Sequence, residues 1–173
     1  ASSSAGIVKA IQHVDKNMPH IKTLVVDDWQ YMSSFEYFDR ANEKGYDKFT
    51  QIAANLAMVA KLPKDLRDDL TVFFLTHSED STDINGNRKI KAKTIGKMID
   101  NTLTLEGLFS IVLFGKVNKN DDGELEYGFE TQNNGENTCK SPMGMFEENF
   151  IPNDLQFVKD CIEKIGRASC RER

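Results

Sequence analysis

Two short apolar runs, each ending abruptly in polar residues, constrain the fold of this 173-residue chain more than any other feature. Residues 21–26 are apolar and β-branched and stop at Asp27-Asp28, and residues 71–76 repeat the pattern before His77. Runs of this length and composition are typical of strands buried in a parallel sheet. Because the connection between them is long and partly helical, we predict that the two strands are parallel.

Helical periodicity accompanies these strands. Apolar residues in the segment 7–18 recur at helical spacing until Pro19, and residues 48–61 show a second apolar face that Pro63 closes. A further short helix is expected over residues 64–69. The chain therefore begins as helix, strand, helix and strand, which is the alternation of an α/β protein.

The second half of the chain carries turn signals instead. Asn85-Gly86 predicts an antiparallel excursion or a mobile loop. Residues 108–117 are apolar and predict a strand. In residues 125–131 apolar and polar side chains alternate, so this segment is predicted to pair with that strand across the turn-forming segment 120–123. We therefore expect an antiparallel hairpin extension beside the α/β sheet.

The two ends of the chain carry different signals. Asn153 or Asp154 is predicted to cap a final helix that has one apolar face. Residues 165–173 resemble a translated sequencing adapter, and the first residues lead directly into a helical pattern without a methionine. We accordingly expect a core over residues 1–165 and a non-native tail over residues 166–173, in a chain that lacks its upstream part.

Composition narrows the class of protein. The formal net charge of -5 argues against a uniformly basic nucleic-acid binder. The three cysteines form no C-x-x-C pair, and no apolar run approaches the length of a membrane span. We expect a cytoplasmic protein without membrane association, which would lie in the bacterial host cytoplasm if the gene belongs to a phage.

The polar ends of the two strands are the candidate catalytic positions. In an open α/β sheet, active residues lie beyond the carboxyl ends of the strands, which places Asp27, Asp28, Thr76 and His77 along one edge. A carboxylate on a rigid strand end suits Mg²⁺, because that ion keeps most of its waters and takes phosphate oxygens as further ligands. Either Thr76 or His77 could donate to a phosphate oxygen or orient an attacking water.

These strand ends resemble known nucleotide-binding motifs. Leu24-Val25-Val26-Asp27 is similar to the Walker B motif of P-loop NTPases, and the strand that ends at Thr76 and His77 is similar to the phosphate-sensing strand next to it. The wider resemblance is to the phage AAA-domain, RecA-like nucleotide-binding proteins found beside recombination genes, and it rests on an ordered set of segments: residues 25–28, 75–79, 91–98, 111–114 and 140–142.

The resemblance implies a function and a set of binding residues. It implies ATP hydrolysis with Mg²⁺, coupled to single-stranded DNA transactions in recombination or replication, by a homo-oligomer with nucleotide at its interfaces. Asp27 would then bind the metal, and Thr76 would contact the nucleotide. Lys97 and Lys140, and with them Lys93, become candidates for contacts to phosphate or to a neighbouring subunit.

Two departures from the family pattern limit this expectation. No G-x-x-x-x-G-K-[ST] sequence occurs in the chain, so we expect the phosphate-binding loop and its strand to be missing and this chain alone to be inactive. That strand would lie between residues 71–76 and 108–117. Asp28 stands where many relatives carry a catalytic glutamate; it could act as the base, support Asp27 or cap the next helix.

Two other functions remain open from the sequence. A metal-dependent nuclease or phosphohydrolase would use Asp27, Asp28, His77 and Asp80 as a metal cluster. A non-enzymatic phage interaction module would use the aromatic segment 29–46 as a partner surface.

Overall fold

A computed structural model describes residues 3–82, 85–96, 100 and 103–169. The protein is mixed α/β, with helices and small open sheets. The chain divides into two compact units, the first formed by Ala1–Glu79 with Ala92–Leu108 and the second by Asp80–Lys91 with Phe109–Arg173. Among the described residues, no helix is both long enough and apolar enough to span a bilayer.

The named elements in the described part of the first unit are three α-helices, a two-stranded sheet and two short 3-10 turns. In chain order these are α1 (Ser4–Asn17), β1 (Thr23–Val26), α2 (Tyr31–Asp39), α3 (Asp47–Lys61), a 3-10 turn (Leu62–Asp65), β2 (Thr71–Phe74) and a second 3-10 turn (Leu105–Leu108). The predicted helices over residues 7–18 and 48–61 are confirmed as α1 and α3.

Capping and burial explain both helices. The Ser3 side chain accepts a hydrogen bond from the Gly6 amide at 3.2 Å, which satisfies one of the free N–H groups at the start of α1. The apolar face of α3 supplies the core of the unit, where Ile52, Leu56 and Val59 are at most 1% exposed. Most of the stability of such helices comes from this packing rather than from helix propensity.

The predicted short helix over residues 64–69 is wrong in position and type. The chain forms a single 3-10 turn, Leu62–Asp65, and Leu66 is already extended with ψ of 169°. Pro63 explains the difference, since its fixed φ suits the first turn of a helix and its missing N–H prevents continuation of α3 through it.

The two predicted strands pair as expected. β1 and β2 are parallel, with a register that runs from Thr23 opposite Thr71 to Val26 opposite Phe74. Both strands are shorter than the apolar runs that predicted them. The ladder nevertheless extends by one hydrogen bond beyond each end, from the Thr71 amide to the Lys22 carbonyl at 3.0 Å and from the Leu75 amide to the Val26 carbonyl at 2.9 Å.

Arg67 fastens the start of this sheet to the end of α1. Its guanidinium donates to the carbonyls of Val14 at 3.1 Å, Asp15 at 2.8 Å and Met18 at 3.3 Å, and also to that of Ile21. These carbonyls belong to the last turn of α1 and to the loop that leads into β1. Those of Val14 and Met18 also accept a backbone amide, from Met18 and Ile21 at 3.0 Å each, whereas Arg67 is the donor for those of Asp15 and Ile21. One side chain thereby supplies the donor for two carbonyls and a second donor for two more, at a partly buried position.

Replacement of Arg67 should destabilise the first unit. Because Arg67→Ala removes the donor of the Asp15 and Ile21 carbonyls at a partly buried position, we expect a loss of about 2–3 kcal/mol in the free energy of unfolding. The measurement is urea denaturation followed by the fluorescence of Trp29, the single tryptophan. The matched control is Arg88→Ala, which removes an ion pair with Asp80 whose two side chains are 61% and 66% exposed and should change little. Equal midpoints for the two variants would contradict the role of Arg67.

The second unit is built mainly from antiparallel strands. The chain leaves the first unit within β3 (Ser78–Thr82) and returns to it at the end of β4 (Arg88–Ala92), and these strands form a two-stranded sheet around the predicted Asn85-Gly86 turn. A three-stranded sheet follows, in the order β5 (Phe114–Lys119), β6 (Leu125–Glu130) and β7 (Phe150–Pro152), and then α4 (Leu155–Ser169).

The hairpin and the last helix confirm two predictions. β5 and β6 are antiparallel, with Val117 opposite Tyr127. The turn between them is closed by the Asn120 side chain, which accepts a hydrogen bond from the Glu124 amide at 2.8 Å. At the start of α4, the Asp154 carboxylate accepts from the amides of Gln156 at 2.7 Å and Phe157 at 3.4 Å, so it is the cap.

Residues 108–117 do not form the strand that the sequence predicts. Leu108 ends a 3-10 turn, Val112 makes an isolated antiparallel bridge to Lys140, and β5 begins only at Phe114. Moreover, β5 pairs with β6, and among the described residues it has no direct pairing with the β1–β2 sheet; the expected place of this segment beyond a missing central strand stays a prediction. Pairing across a short turn costs little loop-closure entropy, which favours it over a distant parallel partner.

Gly128 is required by the close approach of β6 to β7. A Cβ atom at this position would lie 2.3 Å from the Phe150 ring and 2.7 Å from the Ile151 carbonyl oxygen. Contacts this short force the backbone of β7 to shift. Gly115, on the neighbouring strand β5, offers a contrast, since its Cβ would meet only the Phe129 ring at 4.0 Å.

The two glycines form a matched pair for a test of this packing. Gly128→Ala should destabilise the three-stranded sheet by about 1–3 kcal/mol through overcrowding, whereas Gly115→Ala should be nearly neutral. Hydrogen–deuterium exchange of peptides from β6 and β7 measures the effect locally. Faster exchange in the Gly115 variant than in the Gly128 variant would show that crowding of position 128 against Phe150 and Ile151 does not determine the stability of this sheet.

Candidate functional site

The parallel pairing of β1 and β2 brings four predicted site residues to one edge. Asp27 and Asp28 follow β1, and Thr76 and His77 lie just beyond β2. The Trp29 amide donates to the Leu75 carbonyl at 3.2 Å, so the turn after β1 is tied to the end of the second strand. The carboxyl ends of the strands therefore form one continuous polar surface.

Trp29 anchors the turn that presents the two aspartates. Its side chain is only 2% exposed, and its ring meets Phe74 edge to face with centroids 5.2 Å apart. Between this anchor and β1, Asp28 adopts a left-handed backbone with φ of 51°, the one positive φ of a non-glycine residue in the described part of the chain. Aspartate tolerates this conformation better than most residues, and the turn directs its side chain into the site.

Asp28 and His77 are in direct contact. Nε2 of His77 lies 3.1 Å from Oδ1 of Asp28, and the two side chains are 56% and 52% exposed. The same Oδ1 accepts a hydrogen bond from Nε2 of Gln30 at 3.3 Å. The Tyr31 ring lies edge-on to the imidazole, with centroids 6.0 Å apart. An exposed pair of this kind contributes at most about 1 kcal/mol to stability, so its main effect is on orientation.

Asp27 is available for a ligand. Its side chain is exposed and forms no hydrogen bond or ion pair with any described residue. It lines a cavity of about 550 Å³ between α1, β1 and α2, a volume within the range of small-molecule sites. Among the described residues that line the cavity, Asp27 and Asp28 carry the only charges, so a phosphate group could bind there only with a cation.

The other predicted contacts are dispersed. Thr76 is exposed, and its hydroxyl makes a long hydrogen bond of 3.4 Å to the His77 carbonyl. That carbonyl also accepts from the Lys93 amide at 2.8 Å, which places Lys93 beside His77. Lys97 lies outside the described residues. Lys140 belongs to the second unit, where its backbone pairs with Val112 through hydrogen bonds of 2.8 and 3.0 Å.

The metal-cluster alternative has no geometric support in the described part of the chain. No group of three or more His, Cys, Asp or Glu side chains is placed there to hold a metal ion. Of the four residues that this alternative requires, Asp80 belongs to the second unit and pairs with Arg88 at 2.8 Å. A single magnesium ligand at Asp27 does not need such a cluster, because water and phosphate supply the other positions.

The aromatic segment 29–46 divides between core and surface. Trp29 and Met32 are 2% exposed, whereas Phe38 is 69% and Tyr46 72% exposed. The exposed Phe38 ring meets Tyr37, which in turn meets Phe49, at centroid distances of 5.7 and 5.8 Å. The segment is thus partly structural, and nothing on it indicates a particular partner.

Gln30 is the site residue that the sequence does not indicate. It is 6% exposed, and its Oε1 is the one buried side-chain polar atom of the described residues without a hydrogen-bond partner. Its spacing of two positions from Asp28 is common in turns. The sequence gives no signal for this role, because the burial of Gln30 depends on how the turn at Trp29 packs.

No family model matches the sequence, and neither the curated proteins nor the solved structures searched include a significant match.

Cys139, which is buried, is not a candidate nucleophile. Burial, and after it the negative charge of Glu130, raise the pKa of its thiol to about 12, against a smaller opposing effect of a backbone hydrogen bond from Phe114. At neutral pH the thiolate, which is the reactive form, is therefore scarce.

This raised pKa predicts slow labelling of Cys139 by thiol reagents. At about pH 8 the folded chain should be labelled at Cys161, which is half-buried, well before Cys139. Because the folded pKa lies above the ordinary value, reactivity of Cys139 should rise with pH and on unfolding. Mass spectrometry of proteolytic peptides distinguishes the two sites, and equal labelling rates in the folded chain would contradict the assignment.

Proposed function

We propose that this chain is part of a P-loop ATPase of the phage AAA-domain, RecA-like kind, acting in DNA recombination or replication. The observation that carries the proposal is the meeting of the Asp27-Asp28 turn with Thr76 and His77 at the ends of adjacent parallel strands. A carboxylate strand end beside a polar strand end is an arrangement that suits a magnesium-bound triphosphate.

Each residue has a distinct role in this proposal. Asp27 holds Mg²⁺, and its exposure and lack of a side-chain partner support that role. Thr76 contacts the nucleotide, and His77 acts at the γ-phosphate. Lys93 is next to His77 through its backbone, which supports it as a candidate for a phosphate contact. Lys97 and Lys140 are kept as candidate nucleotide contacts on the basis of the sequence resemblance.

The remaining parts of the proposal concern the longer protein. A glycine-rich phosphate loop is required, since without its amides and lysine the triphosphate has no strong binding site. This 173-residue chain alone should therefore neither bind nor hydrolyse ATP. We also propose that the longer protein is cytoplasmic, that it forms a homo-oligomer and that its partner is single-stranded DNA.

The decisive change is Asp27→Asn in the protein with its upstream region included. The amide keeps the volume of the side chain but not its charge, so Mg²⁺-dependent ATP turnover should fall by about 10²-fold or more while the thermal unfolding curve is unchanged. The measurement is phosphate release at saturating ATP.

The matched control is Asp68→Asn, an exposed aspartate on the loop before β2 that has no contact with the site residues. Its turnover should equal that of the unchanged protein. Undiminished turnover in the Asp27 variant would exclude the metal role. Tight binding of ATP by the 173-residue chain itself would contradict the need for a separate loop.

A further inference from the structure

The contact between Asp28 and His77 assigns the two nitrogens of the imidazole. Nε2 of His77 lies 3.1 Å from Oδ1 of Asp28, where a lone pair on Nε2 would be repelled by the carboxylate, so this ion-pair contact favours the neutral tautomer that carries its hydrogen on Nε2. In a neutral imidazole the other nitrogen, Nδ1, is then an acceptor. No described residue donates to Nδ1 of His77, which leaves it available to a ligand or water.

Asp28 is itself held in place from two sides. Its backbone sits in the left-handed region, between β1 and the buried Trp29, and its carbonyl accepts from the Tyr31 amide at 3.0 Å. Nε2 of Gln30 donates to the same oxygen that faces His77, at 3.3 Å, from a side chain that is only 6% exposed. A carboxylate fixed by a buried donor and a turn can determine the orientation of a partner ring.

From these contacts we infer that His77 is the proton acceptor of the site, and that Asp28 and Gln30 are positioning residues that hold it in the Nε2–H tautomer. The inference rests on the proposed function and replaces one possibility that the sequence left open, that Asp28 is the base. The substrate is a nucleoside triphosphate bound with its γ-phosphate near His77.

His77 and water account for the bonds and protons that change when the γ-phosphate is hydrolysed. The oxygen of an attacking water forms a bond to the γ-phosphorus, and the bond from that phosphorus to the bridging oxygen breaks, leaving its electron pair on the nucleoside diphosphate. The water transfers a proton to Nδ1 of His77, and the resulting imidazolium lies beside the Asp28 carboxylate. Water later accepts this proton, which restores the neutral ring.

The first test reads the tautomer directly and needs no activity. The chain contains three histidines, His13, His20 and His77, so selective ¹⁵N labelling gives three sets of ring signals. At about pH 8.5, where histidines are mostly neutral, His77 should show a larger separation between its two nitrogen shifts than His20. His20 is exposed and has no described partner, and it therefore reports the tautomer mixture of a free histidine.

The positive φ of Asp28 determines which substitutions the backbone tolerates at this position. Asp28→Gly removes the carboxylate without strain at a positive φ, and it should bring the His77 shifts to those of His20. Asp28→Asn keeps an acceptor oxygen and should restore most of the separation. Asp27→Ala removes the neighbouring carboxylate, which does not touch His77, and should leave the shifts unchanged. His77 shifts equal to those of His20 in the unchanged chain would overturn the inference.

The second test uses turnover in the longer protein. His77→Ala and Asp28→Gly should each reduce kcat by about 10²–10⁴-fold with little change in KM, and the double variant should be no slower than His77→Ala alone. Full kcat in His77→Ala with loss in Asp28→Gly would make Asp28 the base and overturn the inference. Absence of ATP turnover in the unchanged longer protein, with the tautomer result intact, would overturn the proposed function and the proton-acceptor role but keep Asp28 as the residue that orients His77.

Discussion

The parallel pairing of β1 with β2 is the interaction on which the candidate site depends. Four residues of each strand are in register, from Thr23 opposite Thr71 to Val26 opposite Phe74. Because the carboxyl ends of parallel strands meet at one edge, this register alone determines that the aspartate turn faces His77. A shift by one residue would turn the side chains beyond each strand to the opposite face.

A two-stranded sheet is only marginally stable by itself, so its register must be held from outside. At the start of the sheet, Arg67 ties the carbonyls at the end of α1 to the loop before β1. At the other end, Trp29 packs against Phe74 and donates its amide to Leu75. Both residues act on the backbone next to the strands, and the left-handed turn at Asp28 becomes tolerable because the buried Trp29 holds the backbone on its far side.

The physical character of this site is that of an exposed polar edge above an apolar cavity. Asp27 and Asp28 supply negative charge, and Gln30 and His77 supply hydrogen-bonding groups that restrict Asp28. Such an edge can bind a cation and orient a water, but it offers no positive groups for a triphosphate among the cavity-lining residues described. Any phosphate chemistry here therefore depends on Mg²⁺ and on groups that lie elsewhere in the chain or beyond it.

The sequence by itself determined the local elements and the chemistry at the strand ends. Periodicity and caps are local properties, so α1, α3, the parallel strands, the β5–β6 hairpin and the Asp154 cap could all be predicted from residues close together in the chain. The tertiary structure alone decided that β5 and β6 are joined by β7 in one sheet, that Lys140 lies in the second unit, and that Asp28 is shared between His77 and Gln30. These outcomes depend on competition between distant partners and on which side chains the turn at Trp29 buries, and neither is encoded in the spacing of residues along a single segment.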